Sequence, residues 1–181
     1  SIRRQRQMCI RDRHWPIVKA SKNNWQEANT ESWRALEELY NQGKIKSIGV
    51  SNFLPHHLEP LLENAKIKPM VNQIEFHPGM LQEETVEFCK KHHILVEAWA
   101  PFSNGQILTN PVLREIADKY KKSVAQLSLR WIIQKGIVPL PKSVTPERIK
   151  SNLEVFDFEI SEQDVDLSLI HISEPTRLRR I

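Results

Sequence analysis

The chain has 181 residues, 40% of them hydrophobic and 27% charged, and a formal net charge of +4; this length and mixture suit about one globular domain. No apolar run approaches the roughly 20 residues of a bilayer-crossing helix, so no membrane partner is expected. Cys9 and Cys89 make neither a disulfide framework nor a metal-ligand spacing, so the expected setting is reducing and cytoplasmic, with no bound metal.

In chain order, the first segment is SIRRQRQMCIRDR, with five arginines and Asp12, and the last is SLIHISEPTRLRRI, with three arginines and Glu174. Between them, from His14 to Leu167, 18 Lys and Arg face 20 Asp and Glu. The basic excess therefore sits in the two ends, neither of which has helical or alternating periodicity. A nucleic-acid arm and an Arg-rich transit peptide are the alternatives to translated linker sequence at the edges of a reading frame. Linker is the preferred reading: residues 1–13 are expected to be a non-native leader and 168–181 a non-native tail, with no nucleic-acid partner.

Trp33, Leu36, Leu39 and Tyr40 recur at helical spacing over 33–42, and Gly43 stands where a helix would stop. A strand is expected over 45–50, then a helical stretch carrying Leu58, Leu61, Leu62 and Ala65, with Pro60 shifting its start or kinking it. A strand over 70–74 leads to a helix around 82–92. The strand over 94–98 leads through a loop with Gly105 to helices over 110–120 and 124–135. A fourth strand over 137–140 ends in Pro-Lys-Ser before a helix near Pro146, and Ser161-x-x-Asp164 resembles a capping box.

Four short apolar strands alternating with helices indicate parallel βα units, an α/β fold. An open doubly wound sheet would want a G-x-G-x-x-G turn, and the five glycines form none. A (β/α)8 barrel needs no such turn, but usually takes about 250 residues and eight strands. The expected fold is therefore a partial (β/α)8 TIM barrel, about its last four βα units, over 14–167.

In such a barrel the chemistry sits at the carboxyl ends of the strands. There stand Ser51 and Asn52, then Gln73, Glu75 and His77, then Trp99, and finally Lys142 and Ser143 with Arg148 and Asn152 beyond. Amides and a hydroxyl suit a ligand with its own amide, an indole suits a flat ring, and Lys with Arg suits a phosphate. Strand-end capping would explain Ser51 or Asn52 singly, core packing would explain one Trp, and a solvated basic helix start would explain Lys142. Together they read better as a site.

IKSIGVSNF, NQIEFHP, VEAWAPF and LPKSVTPERIKSN, in this order and at these spacings, resemble the carboxyl-terminal half of the aldo-keto reductases. The resemblance runs from HWP at His14 to about Leu167. It implies a parent eight-stranded barrel, a monomer that reduces aldehydes and ketones with NADPH. The short loop after the third strand is similar to the bacterial type, which includes diketogluconate reductases. By resemblance, Ser51, Asn52 and Gln73 hydrogen-bond the nicotinamide carboxamide, and Trp99 stacks on the ring. Lys142, Ser143 and Arg148 grip the 2′-phosphate and Asn152 binds the adenine, while Ser151 departs from the Glu of many relatives. His14 is the catalytic histidine that orients the substrate carbonyl, although Asp12 and Arg13 precede it where the family has an apolar strand; Trp15 lines the substrate pocket.

Blander readings fall to His56, His57, His92 and His93 as surface residues and to His77 as a structural residue beside Pro78. Carbonyl reduction also needs a proton donor, which the family takes from a Tyr tuned by Lys and Asp in its amino-terminal half. Tyr40 and Tyr120 are the only tyrosines, both in helical stretches, and neither is assigned as the acid. Two functions of different class follow: part of a reductase acting on a small-molecule carbonyl and inactive alone, or a non-catalytic NADP(H)-binding or assembly module like the reductase-like subunits of some potassium channels. Unpaired edges at the strand beginning at Ile45 and the one ending at Leu140 are expected to make the chain self-associate.

Overall fold

The computed structural model describes residues 10–13, 15–17 and 24–170, with backbone alone at 10–13 and 167–170. His14 lies outside the described residues, as does 171–181 of the expected tail. Strands and helices alternate: β1 (Ile10–Arg13), α1 (Trp25–Asn41), β2 (Ser47–Ser51), α2 (Pro55–Asn64), β3 (Val71–Glu75), α3 (Glu83–Lys91) and β4 (Leu95–Trp99). After a 3₁₀ segment, Ser103–Thr109, come α4 (Pro111–Lys119), α5 (Val124–Gln134), β5 (Val138–Pro139), α6 (Pro146–Ser151) and α7 (Glu162–Ile170). The strands form one sheet in the order β1-β2-β3-β4-β5, and the pairs β1/β2 and β2/β3 are parallel. This is an α/β fold in which helical crossovers join parallel neighbours.

Two compact units divide the chain, one made of the residues up to Ile74 with Gln82–Glu97, the other of Glu75–Leu81 with the residues from Ala98 on. In the first unit, β2 is buried from Ile48 to Ser51, and Phe53, Leu58, Ile74 and Val96 are buried as well. Gly49 pairs with Val71, and a Cβ at Gly49 would stand 2.8 Å from the Val71 carbonyl oxygen. The close approach of β2 to β3 therefore depends on glycine.

α1 starts at Trp25, well ahead of the apolar stretch that announced it. Its buried face is Asn29, Trp33 and Glu37, one residue per turn, and two of these are polar, so counting apolar residues misses the first turns. Trp33 Nε1 donates to the Ile67 carbonyl at 2.9 Å, and Glu37 Oε1 accepts the Ile67 N–H at 2.8 Å. Both backbone polar groups of Ile67, in the turn before β3, are thus fixed. α2 begins with Pro55 and runs through Pro60, so the proline neither moves the start nor ends the helix. The N–H it lacks would have faced the carbonyl of His56, an exposed residue, where water can serve instead.

β1 revises one expectation, that of an unpaired edge at β2. Ile10 to Arg13 pair in register with Ser47 to Val50, so the last four residues of the expected leader sit in the sheet, and the edge expected at β2 is covered. Charge at Asp12 and Arg13 does not prevent this, because ladder bonds are made by the backbone.

In the second unit, α4 is capped by Asn110, whose Oδ1 accepts the Leu113 N–H at 3.1 Å. α5 begins with a reciprocal capping box: Gln126 N–H donates to Ser123 Oγ at 3.2 Å, and Ser123 N–H to Gln126 Oε1 at 3.0 Å. Trp131 is buried and stacks on Phe76 at 5.4 Å between centroids. α7 opens as expected, with Ser161 Oγ accepting the Asp164 N–H at 3.3 Å. β5 is shorter than expected, since Pro139 and Pro141 have no N–H for the ladder. The Leu140 N–H still donates to the Ala98 carbonyl at 2.9 Å.

Candidate functional site

β2 ends at Ser51 because Asn52 turns the chain with φ +60°, a left-handed conformation that Asn tolerates better than most residues. Two hydrogen bonds tie this turn to β3 and a third braces it internally. Ser51 Oγ donates to the Gln73 carbonyl at 2.8 Å, Asn52 N–H donates to the same oxygen at 2.9 Å, and Asn52 Nδ2 donates to Ser51 Oγ at 3.2 Å. Ser51, Asn52 and Gln73, expected together, are together. Ser51 is 1% exposed and its hydroxyl proton is engaged, so toward a ligand the hydroxyl has only its oxygen to offer.

Two partners of this cluster were not singled out from the sequence. Asn72 is fully buried on the face of β3 opposite Gln73. Its Nδ2 donates to the Phe53 carbonyl at 2.8 Å and its Oδ1 accepts the Phe53 N–H at 3.4 Å, which clamps the backbone just after Asn52. The same Nδ2 lies 3.5 Å from Cys89 Sγ. Burial raises the Cys89 thiol pKa against the opposing Asn72 bond, which leaves it a protonated core thiol rather than a nucleophile. The second partner is Glu97 on β4, whose Oε2 accepts from Gln73 Nε2 at 2.9 Å. Its signal was an acidic residue inside the apolar strand VEAW, in step with Trp99.

Trp99, half-buried, ends β4, and its carbonyl accepts the Phe76 N–H at 3.4 Å. Lys142 and Arg148 are exposed, and among the described residues neither has a side-chain hydrogen bond or ion pair. Ser143 Oγ accepts the Thr145 N–H at 3.2 Å, a local turn that positions the segment between β5 and α6. α6 is six residues long, with no side chain capping its start and Glu147 in its first turn; Asn152 closes it, its N–H donating to the Arg148 carbonyl at 2.9 Å. Two cations without a carboxylate partner suit an anion, while Glu147 works against it.

Trp15 is 37% exposed. Tyr40 lies within α1. Tyr120, at the end of α4, donates to Asp164 Oδ2 at 2.7 Å and accepts the Ser161 N–H at 2.9 Å. Lys119 Nζ stands 2.7 Å from Asp164 Oδ1, and this bond, ahead of those from Tyr120 and Ser161, holds the Asp164 carboxyl below its ordinary value. The Asp-Lys-Tyr cluster here secures the start of α7 and leaves the Tyr120 hydroxyl engaged on both sides.

Among the histidines, His57 is corrected from surface to core. It is 2% exposed, its Nδ1 accepts the Leu54 N–H at 3.1 Å, and its ring meets Trp25 and Phe53 edge-on. Burial first, and then neighbouring His56, lower its pKa from 6.5 to about 4. His92, also expected at the surface, is half-buried and stacks on Phe88 at 4.4 Å. His77 is buried, with Nδ1 2.9 Å from the Pro78 carbonyl and Nε2 3.6 Å from Glu75 Oε1, a structural role. Among the described residues no group of His, Cys, Asp and Glu could hold a metal ion, and no helix is long and apolar enough to cross a membrane.

Known proteins share the parallel α/β sheet. The Aldo/keto reductase family profile matches residues 12–168, and the chain belongs to that family. Glyoxal reductase of Bacillus subtilis is 52% identical over 153 residues, covering 84% of this chain and 52% of that protein. The crystal structure of an aldo/keto reductase from Brucella melitensis superposes with a TM-score of 0.80 at 42% identity, covering 89% of this chain and 60% of that one. A Gox0644 mutant in complex with NADPH gives a TM-score of 0.82 at 38% identity, covering 92% and 60%. The chain spans about half the length of the curated relatives it matches.

Proposed function

We propose that this chain is the cofactor-binding part of an NADPH-dependent carbonyl reductase, comprising about the last four βα units of a (β/α)8 barrel. The observation that carries the reading is the cluster in which Ser51 and Asn52 are bonded to Gln73 at the ends of β2 and β3. In this reading the three side chains hydrogen-bond the nicotinamide carboxamide and so fix which face of the ring meets the substrate. Trp99 stacks on the ring, Lys142, Ser143 and Arg148 hold the 2′-phosphate, and Asn152 meets the adenine. His14 orients the carbonyl and Trp15 lines its pocket. The bound cofactor supplies a hydride.

A proton must reach the developing alkoxide as the hydride arrives. Tyr120 is engaged with Asp164 and Ser161, and Tyr40 lies in α1, so neither is assigned this task. The chain by itself is expected to bind the cofactor without turning over. That engagement also favours a second reading, a non-catalytic NADP(H)-binding module. For the reductase reading, the name of the Bacillus subtilis relative makes glyoxal and other small carbonyls the first substrates to try.

The test is titration of the chain with NADPH and NADH, followed by quenching of tryptophan fluorescence. NADPH is expected to bind more tightly. Lys142→Met should weaken NADPH far more than NADH, by about 1.5–3 kcal/mol for a lost charged hydrogen bond. Equal losses for the two cofactors would remove Lys142 from the phosphate site, and no binding of NADPH would refute the proposal.

A further inference from the structure

We infer that Glu97 is a positioning residue that sets the polarity of the Gln73 amide, so that a nicotinamide carboxamide is read by an acceptor and not by a donor; the inference rests on the cofactor reading above. Gln73 Nε2 and Glu97 Oε2 are 2.9 Å apart on adjacent strands, and both side chains are half-buried. Val71, Gln73 and Glu75 share one face of β3, alternating with buried Asn72 and Ile74. Leu95, Glu97 and Trp99 likewise alternate with buried Val96 and Ala98 on β4.

An isolated glutamine amide can turn over and present either end, since oxygen and nitrogen have nearly the same shape. An ionised carboxylate removes that freedom, because it only accepts hydrogen bonds and so must face the NH2 group. Gln73 Oε1 is consequently directed away from Glu97. The backbone carbonyl of Gln73 already accepts from Ser51 Oγ and from the Asn52 N–H, so Oε1 is the acceptor this residue has to offer a ligand. A carboxamide bound there must direct its own NH2 at Gln73. That fixes the rotation of the carboxamide, and the plane and face of the ring attached to it follow. A glutamine at position 97 could meet Gln73 with either end and would leave the polarity undetermined.

The experiment compares binding of NADPH with binding of its acetylpyridine analogue, in which a methyl ketone replaces the carboxamide and no N–H is available. The full chain, Glu97→Gln and Glu97→Leu are titrated with both. The unaltered chain should prefer NADPH by roughly 3- to 10-fold, the contribution of one neutral hydrogen bond, and the preference should largely disappear in both variants. A merely structural role for Glu97 would weaken both ligands alike. An unchanged ratio in variants that still melt cooperatively overturns this inference alone; no binding of NADPH by the unaltered chain overturns the cofactor reading and this inference with it. Should neither variant fold, the unaltered chain still decides. Its preference for NADPH over the acetylpyridine analogue should be present, and equal binding of the two overturns the assignment.

Discussion

Replacing Asn72 by alanine should cost the chain a large part of its stability, although Asn72 is proposed to touch neither substrate nor cofactor. The side chain is fully buried, and both ends of its amide are used on Phe53, at 2.8 Å to the carbonyl and 3.4 Å from the N–H. Truncation leaves two backbone groups facing a space that offers no partner. At about 1–3 kcal/mol for each buried polar group left unpaired, with the long N–H contact at the low end, the loss comes to about 2–5 kcal/mol. Against a total of about 5–15 kcal/mol for a typical domain, such a loss is readily measured. The assay is urea denaturation followed by circular dichroism, comparing the parent chain with Asn72→Ala and Asn72→Asp at equal m-value. Asn72→Asp preserves shape and an acceptor for the Phe53 N–H, but sets a carboxylate oxygen against the Phe53 carbonyl, where a donor stood. It should therefore be at least as damaging as alanine. If both variants lose less than about 1 kcal/mol, a single ordinary hydrogen bond, the clamp on the turn after Asn52 is not what the geometry indicates.

Gly49→Ala should lower the thermal midpoint, because its Cβ would meet the Val71 backbone oxygen at 2.8 Å and the Val71 Cβ at 3.1 Å; overpacking of this kind costs about 1–3 kcal/mol, and an unchanged midpoint would mean that β2 and β3 separate freely. His57 titrates near 4 in the folded chain against 6.5 ordinarily. Between those values the unfolded chain takes up a proton that the folded chain refuses, so stability should fall as pH drops from 6.5 toward 4. Chemical denaturation across that window should show a smaller slope in His57→Gln than in the parent, and equal slopes would refute the assignment. Asp164 behaves with the opposite bias, its folded value lying below the ordinary 3.8 chiefly through Lys119. Its contribution should be complete above pH 3.8, be lost as pH falls through the folded value, and be absent from Asp164→Asn, as melts at low pH would report.

Local pattern determined the kind of fold. Alternation of short apolar runs with helical spacing gave the order of β2 to β5 and of the helices between them, because each element must bury one face and writes that face into its own sequence. The ordered motifs from IKSIGVSNF to LPKSVTPERIKSN carried the family resemblance, and the residues 12–168 that match the family nearly coincide with the span expected for it, His14 to about Leu167. Ser51, Asn52 and Gln73 were likewise legible, since the ends of parallel strands are where polar side chains collect.

What pattern left open were contacts made across long separations. Nothing local tells Asn72 that it will close on Phe53, Gln73 that it will meet Glu97, or Trp33 and Glu37 that they will share the backbone of Ile67. A buried polar residue looks like an error in an apolar pattern until its partner arrives from another element. His57 read as exposed for the same reason: only the packing of α1 against α2 brings Trp25 onto its ring and removes it from water. The strand Ile10–Arg13 has no alternation to announce it, and it exists because the exposed backbone of β2 accepts a neighbour whatever its side chains. The sequence alone therefore decided which residues could be polar at a strand end, and tertiary packing decided which of them were oriented, since orientation requires a second group that the chain supplies from elsewhere.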